Sequence, residues 1–278
     1  MHKLLRAGFA RYLKNPLTAI SAVAALVIGL WGGKNAVYSI DDVFLIALFI
    51  IFAAFISLLI GREHGDGGFR NKTIAGFTKG QAFFSEWLLH ALLCLGLLFL
   101  FFLGFLTMAH GVFSSVPAGM IFLIILCFVC MTVAIVTLLC VLSMLISSRA
   151  VSAILSVLLV IGLMFASYGI DDALSRPKYY KVEQYDEQGV FVSIEQIEDP
   201  RYVDGAARMF LTHLNYALPL GQSRPLIECI GIWNYSNAEV DHDFSWLKIV
   251  KFLPLYSLGL TLVVGGIGYV IFRRRDLK

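Results

Sequence analysis

Six stretches of this chain are apolar over much of a bilayer's thickness: Leu17–Gly32, Val43–Gly61, Trp87–Ala109, Ala118–Ser147, Ala150–Ile170 and Val250–Phe272. A hydrocarbon core of about 30 Å takes roughly 20 helical residues to cross. The fourth and fifth stretches are nearly continuous, and Ala118–Ile170 as one helix would be about 80 Å long, so the chain must fold back. Ser147, Ser148 and Arg149 are the only polar break there. An arginine at the bilayer centre costs on the order of 3 kcal/mol, which puts the turn at that tripeptide. Composition agrees, with 59% hydrophobic and 15% charged residues and a mean hydropathy of +0.80, where soluble domains are about one quarter charged. A net charge of +3 is too small to argue for a nucleic-acid partner.

The basic residues set the expected orientation. Six spans leave both termini on one side, and the segments touching that side hold thirteen of the 22 Lys and Arg residues but only four acids, Glu63, Asp66, Glu86 and Asp276. The other side holds nine basic residues and fifteen acids, most of them in one long segment whose charge matters little for insertion. Both termini are therefore expected in the cytoplasm. Lys3, Arg6, Arg11 and Lys14 ahead of the short first stretch have the layout of a secretory signal, but no small-residue cleavage site precedes Lys34, and the stretch is read as a span.

Inside the six stretches the ionisable Asp, Glu, Lys, Arg and His residues reduce to His90 and, at the start of the last stretch, Lys251, with His110 just past the end of the third. Proton relays, ion-coupled carriers and intramembrane metalloenzymes need such groups at depth. Glu86 and His90 are four apart on one helical face, which suggests either a zinc or proton site or, more plainly, a pair at the water boundary. No HExxH, paired carboxylate or Ser/His/Asp order points to an enzyme. Cys94, Cys127, Cys130 and Cys140 fall in apolar stretches and read as small hydrophobes. Cys229 reads as outward-facing, either a free thiol or an intermolecular link, with the free thiol favoured.

Between the second and third stretches lies GREHGDGGFRNKTIAGFTKGQ, Gly61 to Gln81, with six glycines, five basic or His residues and two acids. Its first half is a poor helix former, because each glycine costs about 1 kcal/mol relative to alanine. Its second half spaces Phe69, Ile74, Phe77 and Phe84 among polar and basic residues, the pattern of a short amphipathic segment. No GxxxxGK[ST] supports phosphate cradling. One reading is a solvated hinge with aromatics toward lipid, since juxtamembrane basic clusters attract anionic lipid. The other is a docking element for a cytoplasmic partner.

The order Glu63, Gly65, Phe69, Arg70, Asn71, Lys72, Gly76 resembles the E…G…[IF]RNK…G signature after the second span of ABC-2 permeases, the membrane subunits of ATP-binding cassette exporters. ARYLKNPLT (Ala10–Thr18) is similar to that family's amphipathic helix before the first span. LNYALPLGQ (Leu214–Gln222) resembles its P-x-GQ element between spans five and six, and IFRRRDLK its basic tail. The sequence departs from the family pattern at His64 and Asp66 and in its long outer segment. The resemblance implies a permease working as a dimer with a second copy or paralogue in the bacterial cytoplasmic membrane. It also implies a separate ATPase subunit carrying ATP and Mg, with no cofactor, catalytic residue or metal site in this chain. A coupling helix at about Phe69–Phe77 would enter a groove of the ATPase, with Arg70 and Lys72 on its acids and Phe69, Ile74 and Phe77 in apolar pockets. Glu63 and Asn71 complete the docking set, flanking glycines let the helix pivot, and Pro219, Gly221 and Gln222 are gate candidates on the outer side. The implied cargo is a peptide, a lipid-like molecule or a hydrophobic compound. A membrane scaffold or sensor that binds a cytoplasmic partner without transport is the alternative, and an intramembrane enzyme a third.

In the outer segment, KYYKVEQYDEQGVFVSIEQI alternates partly and suggests a hairpin turning at Gly189. Ala206–Leu218 has helical spacing with Asp204 able to cap it, and Pro219, Gly221 and Pro225 are expected to break the chain afterwards. This segment reads as a lid, half of a dimer contact, or a solvated cap. The expected fold is all-α integral membrane with six transmembrane helices. Residues 1–170 hold the N-terminal helix, five spans and the coupling loop 62–86. Residues 171–247 form the outer segment, and 248–278 the last span and basic tail.

Overall fold

The computed structural model describes residues 2–36, 40, 42–185, 191–235 and 245–275. In chain order the elements are α1 (His2–Leu13), α2 (Pro16–Asn35), α3 (Asp42–Gly65), α4 (Gly68–Ile74), α5 (Lys79–Met108), α6 (Ala118–Leu145) and α7 (Arg149–Ser175). A hairpin of β1 (Tyr179–Tyr185) and β2 (Phe191–Glu198) follows. Then come α8 (Gly205–Ala217), a 3-10 turn at Leu220–Gln222, α9 (Ser223–Tyr235), α10 (Ser245–Val250) and α11 (Leu253–Arg274). Six helical stretches are long and apolar enough to cross a membrane: α2, α3, α5, α6, α7 and Lys248–Arg274, which contains α11. The chain is a helical, multi-pass membrane protein. The turn between α6 and α7 falls at Ser147–Ser148 as expected, and Ser148 Oγ caps α7 by accepting from Val151 N at 3.5 Å.

The helices outrun the apolar stretches. α3 continues through Glu63 and His64, and α5 starts at Lys79, eight residues ahead of Trp87. A capping box fixes that start: Gln81 N donates to Thr78 Oγ1 (3.2 Å) and Thr78 N donates to Gln81 Oε1 (3.0 Å). Backbone hydrogen bonding thus continues where hydropathy stops, and it carries Glu86 into a membrane-length helix.

α3 is the most enclosed of the membrane-length helices, with Phe49, Phe52, Phe55 and Ile56 fully buried between α2, α5, α6 and α7. α2 packs along α5 with almost no side chain between them. A Cβ on Gly29 would lie 2.1 Å from the Phe101 carbonyl oxygen, and one on Gly104 2.5 Å from that of Leu26. Small residues at such a crossing let two backbones meet, which is how apolar helices gain packing when lipid offers no hydrophobic drive. α11 lies against α6.

At one end of the bundle α1, α4, the α6–α7 turn and the last turn of α11 come together. There Lys79 Nζ donates to Arg275 O (2.6 Å), and Arg275 donates to Met144 O (3.0 Å) and Ser147 Oγ (3.2 Å). At the opposite end Tyr168 donates to Asp42 Oδ2 (2.7 Å), and Asn215 Nδ2 donates to Asp171 Oδ1 (2.7 Å).

The outer segment adds to the helices the expected hairpin, a single two-stranded sheet among the described residues. β1 and β2 are antiparallel, pairing Tyr180 with Ile197 and Val182 with Glu195; Gly189 lies outside the described residues. Asp204 caps α8 as expected, accepting from Gly205 N at 2.7 Å. Pro225 does not break the chain: it sits in the first turn of α9, where the missing N–H has no intrahelical acceptor in any case. Cys229 does not face outward either. It is a free thiol fully buried on α9, and burial pushes it up to about 11.

Two measurements check this packing. Gly29→Leu or Gly104→Leu should abolish the monodisperse folded peak in detergent, whereas Gly162→Ala, with open space around the added methyl, should leave the unfolding midpoint unchanged or higher. A maleimide should label Cys229 at neutral pH only after denaturation, in a variant whose other cysteines are replaced by alanine or serine.

Candidate functional site

The loop singled out in the sequence forms the centre of a buried ionic cluster. Gly67 adopts φ +66°, which turns the chain from α3 into α4. Gly68 then leaves room for a carboxylate, since a Cβ there would lie 2.3 Å from Glu63 Oε2. α4 is a two-turn helix, and its two sides have different fates.

The inward side holds Phe69 and Lys72. Phe69 is 2% exposed. Its ring meets Phe272 of α11 edge-on at 5.4 Å and lies 4.9 Å from the His64 ring. Lys72 Nζ donates to Glu63 Oε2 (2.9 Å) and also to Glu86 Oε1. The other oxygen of Glu63 pairs with Arg11 of α1, and the other oxygen of Glu86 accepts from the Tyr12 hydroxyl (3.0 Å). Glu63 and Glu86 are 4% and 2% exposed, so two carboxylates are enclosed and are balanced by one ammonium and one guanidinium. Burial first, then the Glu86 and Glu63 charges, hold the Tyr12 phenol far above its ordinary value, so it stays protonated and donates. Thr18 Oγ1 donates to Tyr12 O (2.6 Å), tying the α1–α2 elbow to the same place.

His90 is fully buried, one turn along α5 from Glu86. Its Nδ1 lies 2.8 Å from the Glu86 carbonyl oxygen, which fixes the proton on that nitrogen, and 3.7 Å from Glu86 Oε2. Nε2 has no partner among the described residues, and the ring is enclosed by Tyr12 (5.3 Å) and Phe55 (6.4 Å). The expected pair at a water boundary is thus corrected to an interior one, because α5 starts early and α1 covers it. No group of three metal-ligating side chains occurs among the described residues.

The outward side of α4 carries Arg70, Asn71 and Ile74; Ile74 is 73% exposed. Phe77 lies beyond the helix and is half-buried. The expected docking set therefore divides. Arg70, Asn71 and Ile74 present an exposed face, while Glu63, Phe69 and Lys72 are engaged within the chain. The sequence places Arg11 and Tyr12 only in the entry helix ARYLKNPLT and not in the site; their one signal was position, one turn before the start of the first span.

The gate candidates meet at the far end. Pro219, Gly221 and Gln222 are all buried. Gln222 Nε2 donates to Tyr216 O (2.7 Å), and its Oε1 accepts from Ser257 Oγ (2.8 Å), joining α8 to α11. A Cβ on Gly221 would lie 2.1 Å from Asn215 O, so only glycine fits. Elsewhere, α5 and α6 border an apolar groove of about 540 Å³ that includes Leu98, Phe102, Leu106, Ile124 and Phe128.

Removing one partner from a buried ion pair costs about 3–5 kcal/mol because the other charge is left unbalanced. Lys72→Met should therefore lower stability by that order in detergent thermal unfolding. The triple change Lys72→Met, Glu63→Gln, Glu86→Gln should recover most of the loss.

Compared with known proteins, the chain matches no family model and no curated protein sequence.

Proposed function

We propose that the chain is the permease subunit of an ABC-2 type exporter, driven by ATP and Mg bound on a separate ATPase subunit and paired with a second permease copy or paralogue. The observation that carries this reading is the division of α4. Its free face of Arg70, Asn71 and Ile74 can be gripped from outside, while Phe69 and Lys72 connect it to α11, α3, α5 and α1. A short helix built in this way passes a push from a soluble partner into several spans at once. The resemblance of Glu63 to Gly76 to the family signature adds to this. The excess of basic residues that the sequence assigns to the side of both termini supports a cytoplasmic position for the α4 end under the positive-inside rule.

The membrane-length helices hold their described acids at the ends: Glu63, Glu86, Asp42, Asp171 and Asp172. Among the described residues no charged ladder runs through the middle of the bundle for an ion-coupled carrier to use. The groove between α5 and α6 is lined by hydrocarbon, which suits a peptide with apolar side chains, a lipid-like molecule or a hydrophobic compound better than an ion.

The test asks whether a neighbouring reading frame encodes a nucleotide-binding cassette and coexpresses the chain with that ATPase. The wild-type chain should copurify with that ATPase, and Arg70→Glu with Ile74→Asp should weaken the complex by about 2 kcal/mol, roughly 30-fold, without lowering the chain's own unfolding midpoint. Association without ATP-dependent transport in proteoliposomes would favour the scaffold reading. Failure of any ATPase to associate would remove the proposal.

A further inference from the structure

At the same end of the bundle, α2, α3 and α7 enclose a pocket of about 360 Å³ whose lining includes Leu17, Ile20, Leu58, Leu59, Arg62 and Arg149. The two arginines reach it because α7 begins directly against α3. A Cβ on Gly61 would lie 2.8 Å from Arg149 Cγ and 2.9 Å from its Cα, so glycine at that position seats Arg149 beside Arg62. Arg62 has one acidic partner, Asp66 at 3.3 Å, in a largely solvated pair of the weak kind. No acidic or carbonyl group among the described residues engages Arg149. Apart from Asn15 and Pro16 at the start of α2, the rest of the wall is aliphatic, and Ile20 continues it into the exposed stripe of α2 formed with Val23 and Val27.

We propose that this pocket binds an anionic phospholipid, with Arg62 and Arg149 on the phosphate and one acyl chain laid along Leu17, Leu58 and the α2 stripe. Three features select that occupant. Two guanidiniums with a single, weakly held acid between them leave surplus positive charge, and guanidinium geometry matches phosphate oxygens in a bidentate way. The charge stands at the end of membrane-length helices, where basic pockets between spans meet lipid headgroups. From Leu17 and Ile20 the aliphatic wall runs into the exposed apolar stripe of α2, a membrane-length helix, which a soluble phosphate compound would leave uncovered.

The full chain, reconstituted in phosphatidylcholine bilayers with and without phosphatidylglycerol and extracted mildly, is assayed for retained lipid by native mass spectrometry. Wild type should retain phosphatidylglycerol in preference to phosphatidylcholine. Arg62→Gln with Arg149→Gln should weaken retention roughly 25-fold, about five-fold for each guanidinium. Arg273→Gln with Arg274→Gln removes the same charge from the exposed last turn of α11 and should leave retention as in wild type. Ile20→Trp, which blocks the acyl path with both arginines intact, should also lose the lipid. The proposal is overturned if the Arg62/Arg149 double variant retains phosphatidylglycerol as wild type does, or if the α11 double variant loses it equally. It is overturned equally if Ile20→Trp retains the lipid, or if inorganic phosphate displaces it from wild type.

Discussion

Lys72 stands between two carboxylates that the fold has enclosed, and much of one end of the molecule is arranged around that fact. Two ionised acids in a low-dielectric interior repel each other and forfeit hydration, a penalty of several kcal/mol per ion even after relaxation. The cluster meets it with one ammonium shared by both acids, one guanidinium on Glu63 and one phenol on Glu86. These groups come from α1, α3, α4 and α5, so none of the four elements can leave without baring a charge. Ionic closure of this kind is selective as well as cohesive, because a shift of α4 by one residue would remove Lys72 from both acids.

The far end is closed differently. Gln222 bridges Tyr216 and Ser257 through neutral hydrogen bonds, and Gly221 lets the chain lie against Asn215. A neutral amide costs less to bury than a charge, and the described ion pairs there, such as Arg224 with Glu228, are partly solvated. One end of the molecule is thus a charge-locked assembly with a free basic face on α4, and the other is a set of hydrogen-bonded helices topped by a hairpin.

Much of this was legible in the sequence. Each apolar stretch is long enough that hydropathy alone placed a helix there, and the alternation in Tyr179–Glu198 gave the hairpin. The ends of helices were not legible from hydropathy, because a capping box at Thr78–Gln81 rather than a change in polarity starts α5. Glu86 therefore reads in the sequence as a residue at the water boundary, and its enclosure beside Glu63 and Lys72 shows only in the structure. The RNK run was recognisable, yet which of its members faces inward depends on the phase of a seven-residue helix, and seven residues are too few for a periodicity to declare itself. Burial of Cys229 and tolerance of Pro225 both depend on where α9 begins and what it packs against, which only the tertiary structure supplies.

Chain order gives the acid cluster one more property. Arg11, Tyr12, Glu63 and Lys72 all precede Glu86 in the sequence. At a synthesis rate of about 5–20 residues per second, the first of them waits roughly 4–15 s for it. When Glu86 leaves the ribosome its cation and its phenol have already been made, so that carboxylate can enter a nascent bundle with its counter-charge in hand. The same interval leaves the Gly29 and Gly33 side of α2 without its helix partner until Phe101 and Phe105 arrive, with α3 already made against Gly32, so that side of α2 must wait in the membrane or its insertion machinery for α5.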